Sequence, residues 1–161
     1  MPDKHIHIVS FDIPWPPNYG GVIDVFYKVR TLHRLGIKVH LHCYEYPGRD
    51  PASELNEFCE EVLYYPRKTG ILYALSLKPY IVSSRRSEEL MKNLLKDDHP
   101  ILFEGLHSCY YLDDPRLAGR IKVYRESNIE HRYYFNLFKV DPNLKKKLYF
   151  LLASFKLFLY Q

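Results

Sequence analysis

Pro14-Trp15-Pro16-Pro17-Asn18-Tyr19-Gly20-Gly21 decides how this chain folds, because it separates a short apolar strand from an amphipathic helix. Upstream, His5-Ile6-His7-Ile8-Val9-Ser10 alternates and is rich in β-branched residues, so it reads as the first strand of a sheet. Downstream, Val22, Phe26, Val29 and Leu32 recur at helical spacing, and the pattern stops at Gly36. A strand that ends in a rigid Pro-rich loop, with a Gly pair at the helix start, brings backbone N–H groups close to whatever binds there. Missing side chains permit close approach, and the helix dipole favours an anion such as a phosphate. Two glycines also suit a tightly packed turn, and the motif alone leaves both readings open.

Working outward, Ile37 to Tyr44 reads as a second strand, with apolar residues at every other place. Asp50-Pro51 is a helix start with Pro at the first helical position, predicting a short helix through about Glu60. Val62 to Tyr65 is a third strand stopped by Pro66, and residues 69–78 predict a short helix that ends before Pro79. A further helix starts at Ser84 or Ser87, turns Leu90, Leu94 and Leu95 inward, and ends near Asp97. Ile101 to Glu104 is the fourth strand, followed by Gly105, a short segment from His107 to Leu112 and a turn at Asp113-Asp114-Pro115. Ile121 to Arg125 is the fifth strand, and a helix runs from about Asn128 to Phe138. Strands alternating with helices in this way predict an α/β fold: a doubly wound, mostly parallel, Rossmann-like sheet with helices on both faces.

Such sheets bind ligands beyond the carboxyl ends of their strands, which singles out residues 14–21, 45–49, 66–70, 104–108 and 125–130. Three of these ends are chemically rich: the Gly20-Gly21 loop, Glu104-Gly105-Leu106-His107, and Arg125-Glu126-Ser127-Asn128-Ile129-Glu130-His131. Taken singly, each residue is as readily a cap or a surface charge, and Ser127, Asn128 and Glu130 together could form a capped helix start. Their convergence on one sheet edge marks the candidate site.

The chain has 161 residues, one domain's worth, and its 47% hydrophobic content with ordinary charge excludes a disordered polymer. The 15 Tyr and 9 Phe suit a wet, ligand-facing surface as well as core packing. Three cysteines, Cys43, Cys59 and Cys109, form no C-x-x-C pair. Met1-Pro2-Asp3-Lys4 leads into a strand with no secretory segment, so reduced, buried thiols in a cytoplasmic protein are expected. The pairs His5/His7 and His40/His42 could form a metal face, but no carboxylate or Cys completes it at a recognisable spacing, and no metal is expected. From Lys139 onward five lysines stand against Asp141 alone. The net charge of +4 therefore lies in the tail and the rest is neutral, unlike the charged face of a nucleic-acid binder.

Pro-x-x-Tyr-Gly-Gly after strand one, Leu-x-x-Leu-Gly-Ile-x-Val-x-Leu from Leu32 to Leu41, Glu-Gly-Leu-His from Glu104 to His107, and Arg-x-x-Asn-Ile-Glu-x-x-Tyr-Tyr from Arg125 to Tyr134 recur in this order. Together they resemble the N-terminal half of a retaining GT-B-fold glycosyltransferase of the group-1/family-4 class, which builds bacterial cell-surface polysaccharides. The resemblance implies a Rossmann-like acceptor domain over residues 1–140. Residues 141–161 would be a helix leading toward a nucleotide-sugar-binding domain that lies outside this sequence. It implies that Gly20 and Gly21 approach donor phosphates and acceptor, and that Glu104, Arg125, Ser127, Asn128 and Glu130 line the cleft. Many relatives carry His at the place of Ser127, which leaves His107 as the nearest imidazole for a catalytic role. A nucleotide-sugar is implied as co-substrate, with no further cofactor, and a glycan or lipid-linked molecule as acceptor. Retaining transfer in this fold needs positioning and stabilisation of the departing diphosphate rather than an obvious protein nucleophile.

Two other classes compete. A nicotinamide-dependent oxidoreductase should show Gly-x-Gly-x-x-Gly after strand one and an acid ending strand two, where only Glu45 offers itself. A non-catalytic binding or membrane-docking module fits the tail from Leu144 to Tyr160. That segment is too short to span a bilayer and apolar around most of its circumference. A protein partner or the domain body could cover it. With Lys145, Lys146 and Lys147 beside aromatics, so could an anionic membrane surface on the inner face of the plasma membrane.

Overall fold

β1 (Lys4–Ser10) is the centre of a five-stranded, all-parallel sheet. On one side it pairs with β2 (Ile37–Glu45), which pairs with β3 (Glu61–Pro66); on the other lie β4 (Ile101–Glu104) and then β5 (Lys122–Arg125). The order β3-β2-β1-β4-β5 reverses direction at β1, so the crevice between the carboxyl ends of β1 and β4 is the topological switch point. This computed structural model describes residues 4–161; Met1-Pro2-Asp3 lie outside the described residues. The fold is the doubly wound Rossmann-like α/β sheet expected from the sequence.

Strand alternation sends two residue sets to opposite faces. Ile8, Val39, Leu41 and Cys43 pack under α1 (Gly20–Arg34), against Val25, Phe26 and Val29, with Leu55 from a 3-10 turn (Ser53–Glu57). Val9, Tyr44, Tyr65 and Phe103 face the other way, onto Leu90, Met91 and Leu94 of α4 (Glu88–Leu94). Ser87 is the start of α4, its hydroxyl accepting from the Leu90 N–H at 3.2 Å. Leu95 caps the other end and is 46% exposed, so it does not turn inward as the spacing suggested.

Local differences have physical reasons. The helix expected from Asp50 is only the 3-10 turn, because the Tyr64 hydroxyl holds both the N–H (3.1 Å) and the carbonyl (3.2 Å) of Ala52. The helix expected over 69–78 is one turn, α2 (Ile71–Ala74). Pro79 does not end a helix but stands at the start of another, α3 (Tyr80–Ser83). The last two helices, α5 (Glu130–Val140) and α6 (Leu144–Tyr160), fold back on each other as a hairpin. α5 begins two residues later than the sequence suggests and takes no side-chain cap, so Ser127 and Asn128 remain in the loop before it. No helix of the described residues is long and apolar enough to cross a membrane. The three cysteines are free, Cys43 and Cys109 buried and Cys59 half-buried.

The strand-spaced histidines meet across β1 and β2. Asn93 donates to the Tyr65 hydroxyl (2.8 Å), Tyr65 to His42 Nδ1 (2.8 Å), His42 Nε2–H to His7 Nδ1 (2.8 Å), and His7 Nε2–H to Asp97 (2.9 Å). These tautomers follow from the acceptors along the chain, with both imidazoles neutral. Beside them His5, His40 and His99 bring ring nitrogens within 4.8 Å of one another. The His5 and His99 rings, however, stack nearly parallel (11°, centroids 4.5 Å apart), whereas a shared metal would lie in the plane of each ring. Carboxylates do reach this strip, Asp97 at His7 and Glu61 at His40, brought there by tertiary contact.

Burial is the main cause holding His7 and His42 below the ordinary histidine value of 6.5, with Asp97 pulling His7 the other way. The unfolded chain therefore binds protons below about pH 6.5 that the folded chain refuses, so stability falls as pH drops through that point. The slope reaches up to about 1.4 kcal/mol per pH unit for each of these two histidines. Urea unfolding at pH 7 and pH 5 should reveal it. His42→Gln should be less stable at pH 7 but show a shallower fall; an unchanged slope would refute this account.

Candidate functional site

The carboxyl ends of all five strands open onto one cleft with two lobes. The lobe over β1–β3 has a volume of about 800 Å³ and is lined from Asp12, the Tyr46–Arg49 turn, Arg67, Arg85 and several tyrosines. The lobe at the switch point is about 540 Å³ and is bordered by Gly20, Gly21, Asp24, Arg125, Ser127, Asn128 and Glu130. Phe11, Tyr19, His107, Tyr133 and Tyr134 border both.

Seven of the eight residues singled out from the sequence thus meet at the switch-point lobe. Gly20 opens α1, whose first turn has no side-chain cap, leaving backbone donors at the lobe's edge. The two glycines differ. A Cβ on Gly20 would meet nothing within 4 Å, whereas one on Gly21 would lie 2.5 Å from the tip of the Phe11 ring. The second glycine is therefore needed for close packing of Phe11. Gly105, at φ 71°, takes the left-handed conformation that lets β4 turn sharply into its 3-10 segment (Leu106–Tyr111). Its bare side faces Ser127 Oγ (3.4 Å), the Phe11 ring (3.6 Å) and His107 Nδ1 (3.7 Å), measured to where a Cβ would stand. Ser127 and His107 thus flank the same gap.

The eighth, Glu104, lies beneath the lobe rather than in it. It is 0% exposed and accepts from Lys28, with Arg125 Nη1 at 3.4 Å from its second oxygen. Asp24 closes the ring, 2.7 Å from Arg125 and 3.4 Å from Lys28. Two acids and two bases neutralise one another here, so Glu104 acts by fixing the position of Arg125. Glu130 at the start of α5 is nearly inaccessible, and burial raises its pKa above the ordinary carboxylate value against the Asn128 hydrogen bond.

The Pro-rich loop is held from the end of β2. Arg49 donates to the carbonyls of Ile13 and Trp15 (2.8 Å each) and of Pro16 (3.1 Å), and to the Asn18 side chain. Its guanidinium lies 4.9 Å from the Tyr19 ring centroid and 3.6 Å from Asp12, which also receives the Tyr19 hydroxyl. Arg85 is 2% exposed and, among the described residues, donates only to carbonyls, those of Phe11 (3.0 and 3.2 Å) and Ile81 (2.6 Å). Burial lowers its pKa to about 10, with the neighbouring Arg67 pushing the same way, so it stays charged at neutral pH.

Burial, then Arg85 and Arg67, press His107 down to about 3, and its buried Nδ1 has no partner among the described residues. The ring is thus neutral at physiological pH and suited to hydrogen bonding; an anion beside the two arginines would offset their part of the shift, while burial, its largest cause, remains.

Sequence reasoning named the strand ends that border this cleft, but singled out none of these arginines. Arg49 and Arg67 fall inside the windows it named. Arg85 and the tyrosines of α3, α5 and α6 come from elements far along the chain. Tyr133 and Tyr134 stood in the motif from Arg125 to Tyr134; for Tyr80 and Tyr149 the count of 15 tyrosines was the trace, and Arg85 left none.

The chain is 30% identical over 152 residues to a Klebsiella pneumoniae protein described as "Uncharacterized 44.6 kDa protein in cps region", a match that covers 90% of this chain. It spans 39% of that protein's length. No protein-family model matches the chain, and no solved structure matches it.

The glycines offer a direct test. Gly21→Ala should displace Phe11 and lower stability by about 1–3 kcal/mol, and Gly21→Asp should do the same rather than act through charge alone. Gly20→Ala should stay within about 0.5 kcal/mol of the wild type. Thermal melts of the three variants decide. A Gly21→Ala variant as stable as the wild type would refute the Phe11 contact.

Proposed function

We propose that this chain is the acceptor-binding half of a glycosyltransferase of the GT-B, group-1/family-4 type. The reaction moves a sugar from a nucleotide-sugar to a cell-surface glycan or a lipid-linked acceptor with retention of configuration. One observation carries the reading: the stretches that resemble that family, Gly20-Gly21, Glu104 to His107 and Arg125 to Tyr134, gather around a single cleft at the switch point. The relative's cps-region name supports a role in polysaccharide assembly. The nucleotide-sugar would bind a second domain across the cleft. In that arrangement Gly20 and Arg125 face the departing diphosphate, Ser127, Asn128 and Glu130 border the acceptor, and His107 supplies a hydrogen-bonding imidazole. No metal is required for this, because helix N-termini and basic side chains stabilise the leaving group.

The tail supports a membrane-facing role on the cytoplasmic side. α6 buries Ser154 and Leu157 against the body, with Ser154 Oγ donating to His131 O (2.8 Å) and Lys156 Nζ to Ala74 O and Ser76 O (3.0 Å each). Its opposite side exposes Leu148, Leu152, Phe155 and Leu159, with Lys145 and Lys146 exposed at the helix start. An apolar stripe flanked by lysines matches an anionic bilayer surface.

Purified alone, the 161-residue chain should fold but transfer no sugar from UDP- or GDP-hexoses to lipid extracts. Turnover by this chain would sink the half-enzyme reading. In flotation assays the protein should rise with anionic but not with neutral liposomes, and changing Lys145, Lys146 and Lys147 to Glu should abolish binding. Binding that survives this change, or no binding at all, removes the membrane role.

A further inference from the structure

The lobe over β1–β3 carries more positive charge than its own acids neutralise. Arg49 has Asp12, 3.6 Å away. Among the described residues, Arg67 and Arg85 form no ion pair with any carboxylate. Arg85 is a buried guanidinium held only by the Phe11 and Ile81 carbonyls. Arg67 donates Nε–H to Ser84 Oγ (3.1 Å) and lies over the Tyr46 and Tyr80 rings, 4.9 and 5.5 Å from their centroids. Its two terminal nitrogens make no hydrogen bond among the described residues. His107, whose buried Nδ1 is unpartnered among the described residues, borders the same lobe.

Two like charges gathered at a partly enclosed cleft are costly unless a counter-charge joins them. Among the described residues Asp12 is the one acid lining this lobe, and it is shared with Arg49, so one carboxylate stands against three guanidinium groups. A guanidinium with both terminal nitrogens free presents parallel N–H donors, the geometry that matches a phosphate or a carboxylate. The flanking Tyr46 and Tyr80 rings hold the Arg67 guanidinium at the wall of the lobe.

We propose that Arg67 and Arg85, with His107 in its Nδ1–H tautomer, form a subsite for an oxyanion carried by the acceptor: a phosphate ester or the carboxylate of an acidic sugar. Only the identity of the carrier rests on the glycosyltransferase reading; the anion site stands on the charges themselves. Binding of an oxyanion would offset the field of the two arginines and let His107 take up a proton more readily.

Isothermal titration of the 161-residue chain with inorganic pyrophosphate, and separately with glucuronate at matched ionic strength, tests this. Glucose serves as the uncharged control. One of the anions should bind saturably. Arg67→Gln, which loses one side-chain hydrogen bond and should fold, ought to weaken binding about tenfold or more. Arg116→Gln, at an exposed pair with Asp114 away from the cleft, should leave it unchanged. Pyrophosphate binding without glucuronate binding assigns a phosphate-bearing acceptor, and the reverse assigns an acidic sugar. The His107 ring resonances should shift on saturation in the wild type. The subsite is overturned if neither anion binds, if Arg67→Gln binds as tightly as the wild type, or if the His107 signals stay still. Anion binding by this chain, with no transfer by a longer protein in which it is joined to a nucleotide-sugar-binding domain, would keep the subsite and remove the transferase reading. Transfer by that longer protein, with no anion bound by this chain, would do the opposite.

Discussion

The buried guanidinium of Arg85 ties together the parts from which the cleft is made. Its N–H groups hold the Phe11 carbonyl at the exit of β1 and the Ile81 carbonyl in α3, while its own carbonyl accepts from the Tyr44 hydroxyl at the end of β2. Short-range propensity would not bring residue 11 and residue 85 together; a charge without a carboxylate partner, satisfied by converging carbonyls, does so. The same charge then faces the cleft, so the device that joins α3 to the sheet also gives the site its field.

Charge is handled in opposite ways on the two sides of the switch point. Around Glu104 the balance is closed: Lys28, Asp24 and Arg125 alternate with it, and the acid is sealed under the lobe. Around Arg67 and Arg85 it is left open. A closed ring fixes geometry and an open one recruits a ligand, so the two clusters divide positioning from binding. Phe11 stands between them, its ring filling the space left by Gly21 and bordering both lobes.

The histidines show how an identical pattern can mislead. Alternation in Ile6-His7-Ile8 and Val39-His40-Leu41 marks strands, and it also places imidazoles on the face opposite α1. There burial keeps His7 and His42 neutral, against the pull of Asp97 on His7, and hydrogen bonds to Tyr65 and Asp97 tie the sheet to α4 and the loop after it, away from the cleft. Carboxylates that no spacing along the chain announces are supplied from β3 and from the α4–β4 loop.

Alternation in the strands, helical periodicity after Gly20 and the spacing of the turns were enough to determine the parallel doubly wound sheet. Through the rule for strand ends they also determined where a ligand should sit. Those are local patterns, set by the two-residue and 3.6-residue repeats of the backbone. Short elements escaped them: the 3-10 turn, where the Tyr64 hydroxyl outweighs propensity, and the single helical turns either side of Pro79. The roles of the individual site residues needed the tertiary structure, because each depends on a neighbour distant in sequence. Gly21 is explained by Phe11, Glu104 by Lys28 and Arg125, and the open charge of Arg67 by the absence of an acid among the described residues around it. Burial and pairing, unlike periodicity, are properties of the packed chain alone.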